Sequence, residues 1–193
     1  MCCILYIPNG VNAPSEKILD VIYENNHDGI GIVDTSGYFT HTFSYDNLLS
    51  YLKARSGESV SSEIQNIPKN VACIIHFRNA TRGAVSISNC QPFYDQGCGI
   101  YFAHNGTFHN IYEDSSKSDS YIFFNKIFVP AARVSGWEDE ILWDVVKTKI
   151  ERSRVIFMNN KGEIKMFAGD PSFRDWICHD GVYYSRSYPE LGF

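Results

Sequence analysis

Met1-Cys2-Cys3-Ile4-Leu5-Tyr6-Ile7 opens the chain and decides how the rest is read. Cys2 to Ile7 is a short apolar run with β-branched residues, and it predicts a buried first strand. Removal of Met1 would leave Cys2 as the terminus, with a thiol nucleophile and a free α-amine a few bonds apart. An α-amine of ordinary pKa, ~7.7–8.0, can accept the thiol proton near neutral pH. Such a site needs no histidine base. A strand that begins at a nucleophile then asks what the rest of the chain brings to its start.

Three polar clusters answer that question. They are His76-Phe77-Arg78-Asn79-Ala80-Thr81-Arg82-Gly83, Ala103-His104-Asn105-Gly106 and Ser118-Asp119-Ser120. Asn105-Gly106 pairs a side-chain amide with a backbone N–H that no Cβ obstructs, which suits a developing oxyanion. Arg78 can form a planar bidentate pair with an α-carboxylate, and Asp119 can hold an α-ammonium. Each cluster also has a plain reading. Arg78 alone could be a surface ion-pair residue, Asn105-Gly106 a hairpin turn, and Asp119 a helix cap. His76 and His104 follow apolar strand segments and read as core or rim residues with no base role.

Taken in order, these clusters resemble the glutaminase domain of class II glutamine amidotransferases, within the N-terminal nucleophile hydrolases. In that family an N-terminal Cys-Gly opens the mature chain, and a His-x-Arg-x-x-Thr-x-Gly segment binds glutamine. A His-Asn-Gly turn forms the oxyanion hole, and a Ser/Thr-Asp segment holds the α-amine. Here those fall on Cys2, His76 through Gly83, His104-Asn105-Gly106 and Ser118-Asp119. The segment His27-Asp28-Gly29-Ile30-Gly31-Ile32 matches an Asp followed by small residues and an apolar strand. The resemblance takes in about the whole chain. It departs at Cys3, where the family usually has Gly, and at Asn25-Asn26, where several members have Arg-Gly.

The order of strands and helices reads as α+β, and the resemblance implies a four-layer αββα sandwich with Cys2 opening a central strand. It implies Cys2, Asn105 and Gly106 as catalytic residues, and Arg78, Thr81 and Asp119 as the substrate-binding set. The implied reaction is hydrolysis of the glutamine side-chain amide to glutamate and ammonia through a γ-glutamyl thioester. No cofactor is implied. Family members pass the ammonia to a synthase domain; 193 residues leave no room for one, so a separate ammonia-accepting synthase is the expected partner. A hydrolase of other γ-glutamyl amides or peptides and an inactive binding homologue are the two rival readings.

Composition bounds the rest. The length suits a single domain spanning residues 1–193. A hydrophobic content of 44% with 15% aromatics predicts a packed core rather than disorder. A net charge of -5 gives no basic footprint for nucleic acid. No apolar run approaches the ~18 residues that span a bilayer, and the start lacks the form of a signal peptide. A cytoplasmic protein with reduced thiols is therefore expected. Cys73 with His76, and Cys178 beside His179, lack paired metal-ligand spacing, so no metal is expected. Cys73, Cys90, Cys98 and Cys178 read as small core hydrophobes.

Periodicity predicts helices over 14–25, 46–55 (capped by Ser44), 119–128 (capped by Ser118) and 138–150. Strands are predicted over 29–34 and 38–43 as a hairpin, then 71–77 and 99–103, the last running into a turn at His104-Asn105-Gly106. Residues 154–158, 163–168, 176–179 and 182–185 form a closing run of strands, with Trp176 and Tyr183-Tyr184 packing its sheet. Residues 56–70 are polar and predict a surface connection.

Overall fold

The computed structural model describes residues 2–58, 60, 67–111, 115–170 and 175–193. Among the described residues, ten strands form two antiparallel sheets. The first has the order β3 (Phe39–Thr42), β2 (Ile30–Asp34), β4 (Cys73–Phe77), β1 (Cys3–Ile7), β10 (Val182–Tyr184), β9 (Ile177–His179). The second runs β5 (Phe93–Asp95), β6 (Ile100–Asn105), β7 (Arg154–Asn159), β8 (Ile164–Ala168).

Side chains alternate across a pleated strand, so each sheet sends odd and even positions to opposite faces. Cys3, Leu5 and Ile7 of β1, with Cys73, Ile75 and Phe77 of β4, pack against Leu19 and Ile22 of α1 (Glu16–Asn25) and Leu48, Tyr51 and Leu52 of α2 (Tyr45–Ser56). Ile4 and Ile74 point the other way. There they meet Tyr101 and Ala103 of β6 and Ile156 and Met158 of β7, in a core between the sheets. Phe102 of β6 and Val155 and Phe157 of β7 face a third core. It is built from Phe123, Phe124, Phe128 and Val129 and from Leu142, Trp143 and Val146 of α5 (Glu140–Lys149). Three cores separated by two sheets make four layers, the αββα sandwich that the family resemblance implies.

The elements follow their local signals with four differences. The strand expected to stop at Ala103 continues through Asn105. The helix expected to end at residue 128 does not: α3 (Asp119–Ile122) passes through a π-helical stretch (Phe123–Phe128) into α4 (Val129–Ser135). Strand β5 has no counterpart in the sequence reading. The closing strands do not share a sheet, since β7 and β8 join the second while β9 and β10 return to the first beside β1. Of the connection expected over 56–70, residues 59 and 61–66 lie outside the described residues. Among the described residues, no helix is long and apolar enough to cross a membrane.

Candidate active site

β1 lies between β4 and β10, so its first residue sits mid-sheet. Cys2 has the parity of Ile4 and Tyr6 and faces the space between the sheets, whereas Cys3 faces the helices. The Asn79 N–H points at the Cys2 sulfur from 3.4 Å. Burial pushes the Cys2 thiol up, against the smaller pull of the Asn79 backbone and the Arg78 cation. Cys3 is completely buried, and burial pushes its thiol up to about 12.

Phe77 pairs with Cys3, so the end of β4 delivers Arg78 beside the start of β1. The 78–83 loop is held at several points. The Arg78 N–H donates to the Gly29 carbonyl (2.8 Å), the Asp28 N–H to the Arg78 carbonyl (3.0 Å), and the Ala80 N–H to Asp28 Oδ2 (2.7 Å). The guanidinium is buried. Its Nη2 donates to the Arg82 and Gly83 carbonyls at 3.2 and 3.4 Å, while its Nη1 has no partner among the described residues. Buried polar atoms are nearly always satisfied, so a vacant Nη1 beside Cys2 asks for an acceptor from outside the chain.

Asp119 is buried at the first turn of α3, and its Oδ2 accepts the Phe108 N–H at 2.7 Å. Ser118 caps that helix by accepting the Tyr121 N–H at 3.1 Å, as expected. Asn89 ties this turn to the Arg78 loop: its Oδ1 accepts the Ser118 N–H (3.0 Å), and its Nδ2 donates to the carbonyls of Ser116 (2.7 Å) and Ala84 (3.0 Å). Gly83 lies so close to Ser118 that a Cβ there would come within 2.6 Å of the Ser118 nitrogen. Thr81, in contrast, is exposed.

Asn105 has the parity of Tyr101 and Ala103 and so also faces the space between the sheets. Its Nδ2 donates to the Ser185 carbonyl (3.1 Å) and hydroxyl (3.0 Å), and its Oδ1 is buried without a partner. Gly106 adopts φ 148°, and a Cβ would collide with the Ser153 side chain. That backbone is open only to glycine. His104 faces the helix side, bonded to Ser120 Oγ at 2.7 Å and stacked on Phe108. His76 faces the inter-sheet side with both ring nitrogens unpartnered. Burial drives both imidazoles down to about 3, with the Arg78 charge adding to the effect at His76. Neither is charged near neutral pH.

Five of the six residues expected at the site are thus gathered at one end of the two sheets, and Thr81 lies on the surface of the loop. Asn89 and Ser185 escaped the sequence reading, because a lone Asn or Ser carries no motif. The cysteine reading needs a correction: Cys73 and Cys90 are buried, but Cys98 is half-buried and Cys178 exposed, because β9 is the edge strand of its sheet. Among the described residues, no three His, Cys, Asp or Glu side chains are grouped to hold a metal ion.

A family model described as glutamine amidotransferases class-II matches residues 24–127. That stretch contains Asp28, Arg78, Asn105, Gly106 and Asp119, and begins after Cys2. No curated protein matches the chain. Among solved structures, the glutamine phosphoribosylpyrophosphate amidotransferase of B. subtilis complexed with ADP and GMP is similar in fold. The TM-score is 0.55 at 18% identity, over 95% of this chain and 41% of that one. The chain therefore spans less than half the length of that relative.

Proposed function

Because this chain belongs to the class-II glutamine amidotransferases, we propose that it hydrolyses the glutamine side-chain amide with Cys2 as an N-terminal nucleophile. Removal of Met1 exposes the α-amine, which takes the thiol proton as sulfur attacks the amide carbon. The carbonyl oxygen becomes an oxyanion that receives hydrogen bonds from Asn105 Nδ2 and the Gly106 N–H. As the intermediate collapses, the α-ammonium returns the proton to the leaving nitrogen, and ammonia departs. Water then cleaves the γ-glutamyl thioester, giving glutamate and the free thiol.

Arg78 receives the α-carboxylate on Nη1, and Asp119 the α-ammonium. Both charges are carried by free glutamine and lost in amides that lack the amino-acid head. The ammonia goes to an ammonia-accepting synthase. The observation that supports this reading best is the pleat. Cys2 and Asn105 come from different sheets, yet their parities turn both toward the same space, where Arg78 keeps a buried donor unused.

Intact mass and one substrate comparison test the proposal. The purified mature chain should begin at Cys2, and it should release ammonia from glutamine far faster than from N-acetylglutamine. A chain that retains Met1 and still turns over, or equal rates on the two substrates, would contradict it. Faster turnover of another γ-glutamyl amide would move the substrate, not the mechanism.

A further inference from the structure

Ser185 follows β10 and is fully buried, with its polar groups against Ile4 and Asn105 and its hydroxyl also within reach of the Cys3 thiol. Its N–H donates to the Ile4 carbonyl at 2.9 Å, which extends the β1–β10 ladder by one residue. Its hydroxyl oxygen accepts the Ile4 N–H at 2.8 Å and Asn105 Nδ2 at 3.0 Å. Its carbonyl accepts Asn105 Nδ2 at 3.1 Å. The ladder explains the main-chain N–H, since alanine would serve it equally well. It does not explain a hydroxyl that joins the strand leading from Cys2 to an amide on the other sheet.

We propose that Ser185 is a positioning residue that fixes which way the Asn105 amide faces, holding Nδ2 on the side of β1, where the Ile4 N–H shares the same hydroxyl, and Oδ1 away from it. This rests on the glutaminase reading above. An amide turned over by 180° would set Oδ1 against the Ser185 carbonyl, an acceptor with no proton to give. It would also strip the buried Ser185 carbonyl of the Nδ2 donor it now has, which disfavours that state. The orientation matters because a carbonyl oxygen facing the oxyanion would repel it. During turnover one Nδ2 proton stays on the Ser185 carbonyl as the anchor, and the other passes from the hydroxyl to the oxyanion.

A double-mutant cycle separates this from a merely structural role. Ser185→Ala should lower kcat roughly tenfold with KM changed less than about threefold, as expected for a contact that matters in the transition state. Ser185→Thr, which keeps the hydroxyl, should recover most of the rate. In an Asn105→Ala background, Ser185→Ala should cost nothing further. An unchanged kcat in Ser185→Ala, or an equal loss in both backgrounds, would overturn the proposal. Hydrogen exchange of the Asn105 side-chain amide, followed by NMR, gives a readout independent of turnover. Both protons should exchange slowly in the wild type and in Ser185→Thr, and fast exchange in the folded wild type overturns the proposal even if Ser185→Ala does not fold. A wild type that shows slow exchange but no glutamine turnover would sink the glutaminase reading and leave the Ser185 contact standing.

Discussion

Cys2 and Cys3 carry the same side chain and are neighbours, and the pleat alone gives them different surroundings. Cys3 is sealed into the helix-side core with its thiol pushed up to about 12. Cys2 keeps a backbone donor and a guanidinium beside its sulfur. A glutamine-analogue electrophile should therefore label Cys2 and spare Cys3, as peptide mapping would show. Cys2→Ala should abolish turnover. Cys3→Gly should stay within about tenfold of the wild-type rate, a barrier change near 1.4 kcal/mol. It should nevertheless unfold earlier in urea, because a buried side chain is lost and glycine is disfavoured within a strand. Arg78 makes a second prediction at this scale. Its Nη2 serves the Arg82 and Gly83 carbonyls while Nη1 is vacant, a division of labour that one ammonium cannot copy. Arg78→Lys should lose most of kcat/KM for glutamine while Cys2 still reacts with iodoacetamide; normal glutamine kinetics would show that Arg78 holds only its loop.

Strand β6 shows how an element can mislead and then inform. Asn-Gly is the strongest two-residue hairpin signal, but that turn requires positive φ at both residues. Here Asn105 is extended as the last residue of the strand, and only Gly106 turns. The strand continues through Asn105, which sets that position on the face of Tyr101 and Ala103. Gly106→Ala should destabilise the protein by about 1–3 kcal/mol, because alanine at φ 148° is strained and its Cβ meets Ser153. Turnover should fall with it; a variant as stable and as active as the wild type would mean that the turn has another conformation in solution. The helix that begins at Asp119 ran past its predicted end for a similar reason. Pro130 stands in the first turn of α4 directly after the π-helical stretch, where the hydrogen-bond register changes and a missing N–H is tolerated.

At the scale of the whole molecule, folding closes two imidazoles away from water. His76 and His104 fall to about 3 in the native state, against an ordinary value of 6.5. As pH drops below about 6.5 the unfolded chain takes up protons that the native chain refuses, so the unfolded state gains and stability falls. It is restored as pH rises above that range. Each imidazole contributes a slope of up to about 1.4 kcal/mol per pH unit between the two values. Urea denaturation from pH 7 to 4 should show this loss, and His76→Phe should reduce the slope. An equal slope in that variant would mean that His76 is hydrated in the native state. The sequence by itself determined where most of the helices and strands lie, because their periods are local properties written residue by residue. It also determined the order of the polar clusters and the opening cysteine. Tertiary structure decided which sheet each closing strand joins, how Asn89 locks the Arg78 loop to the Asp119 turn, and that Ser185 clasps Asn105. Those contacts join residues far apart in the chain, 181 positions for Ser185 and Ile4. A contact between distant residues is set by how whole sheets stack, and a single serine or asparagine carries no local pattern that announces it.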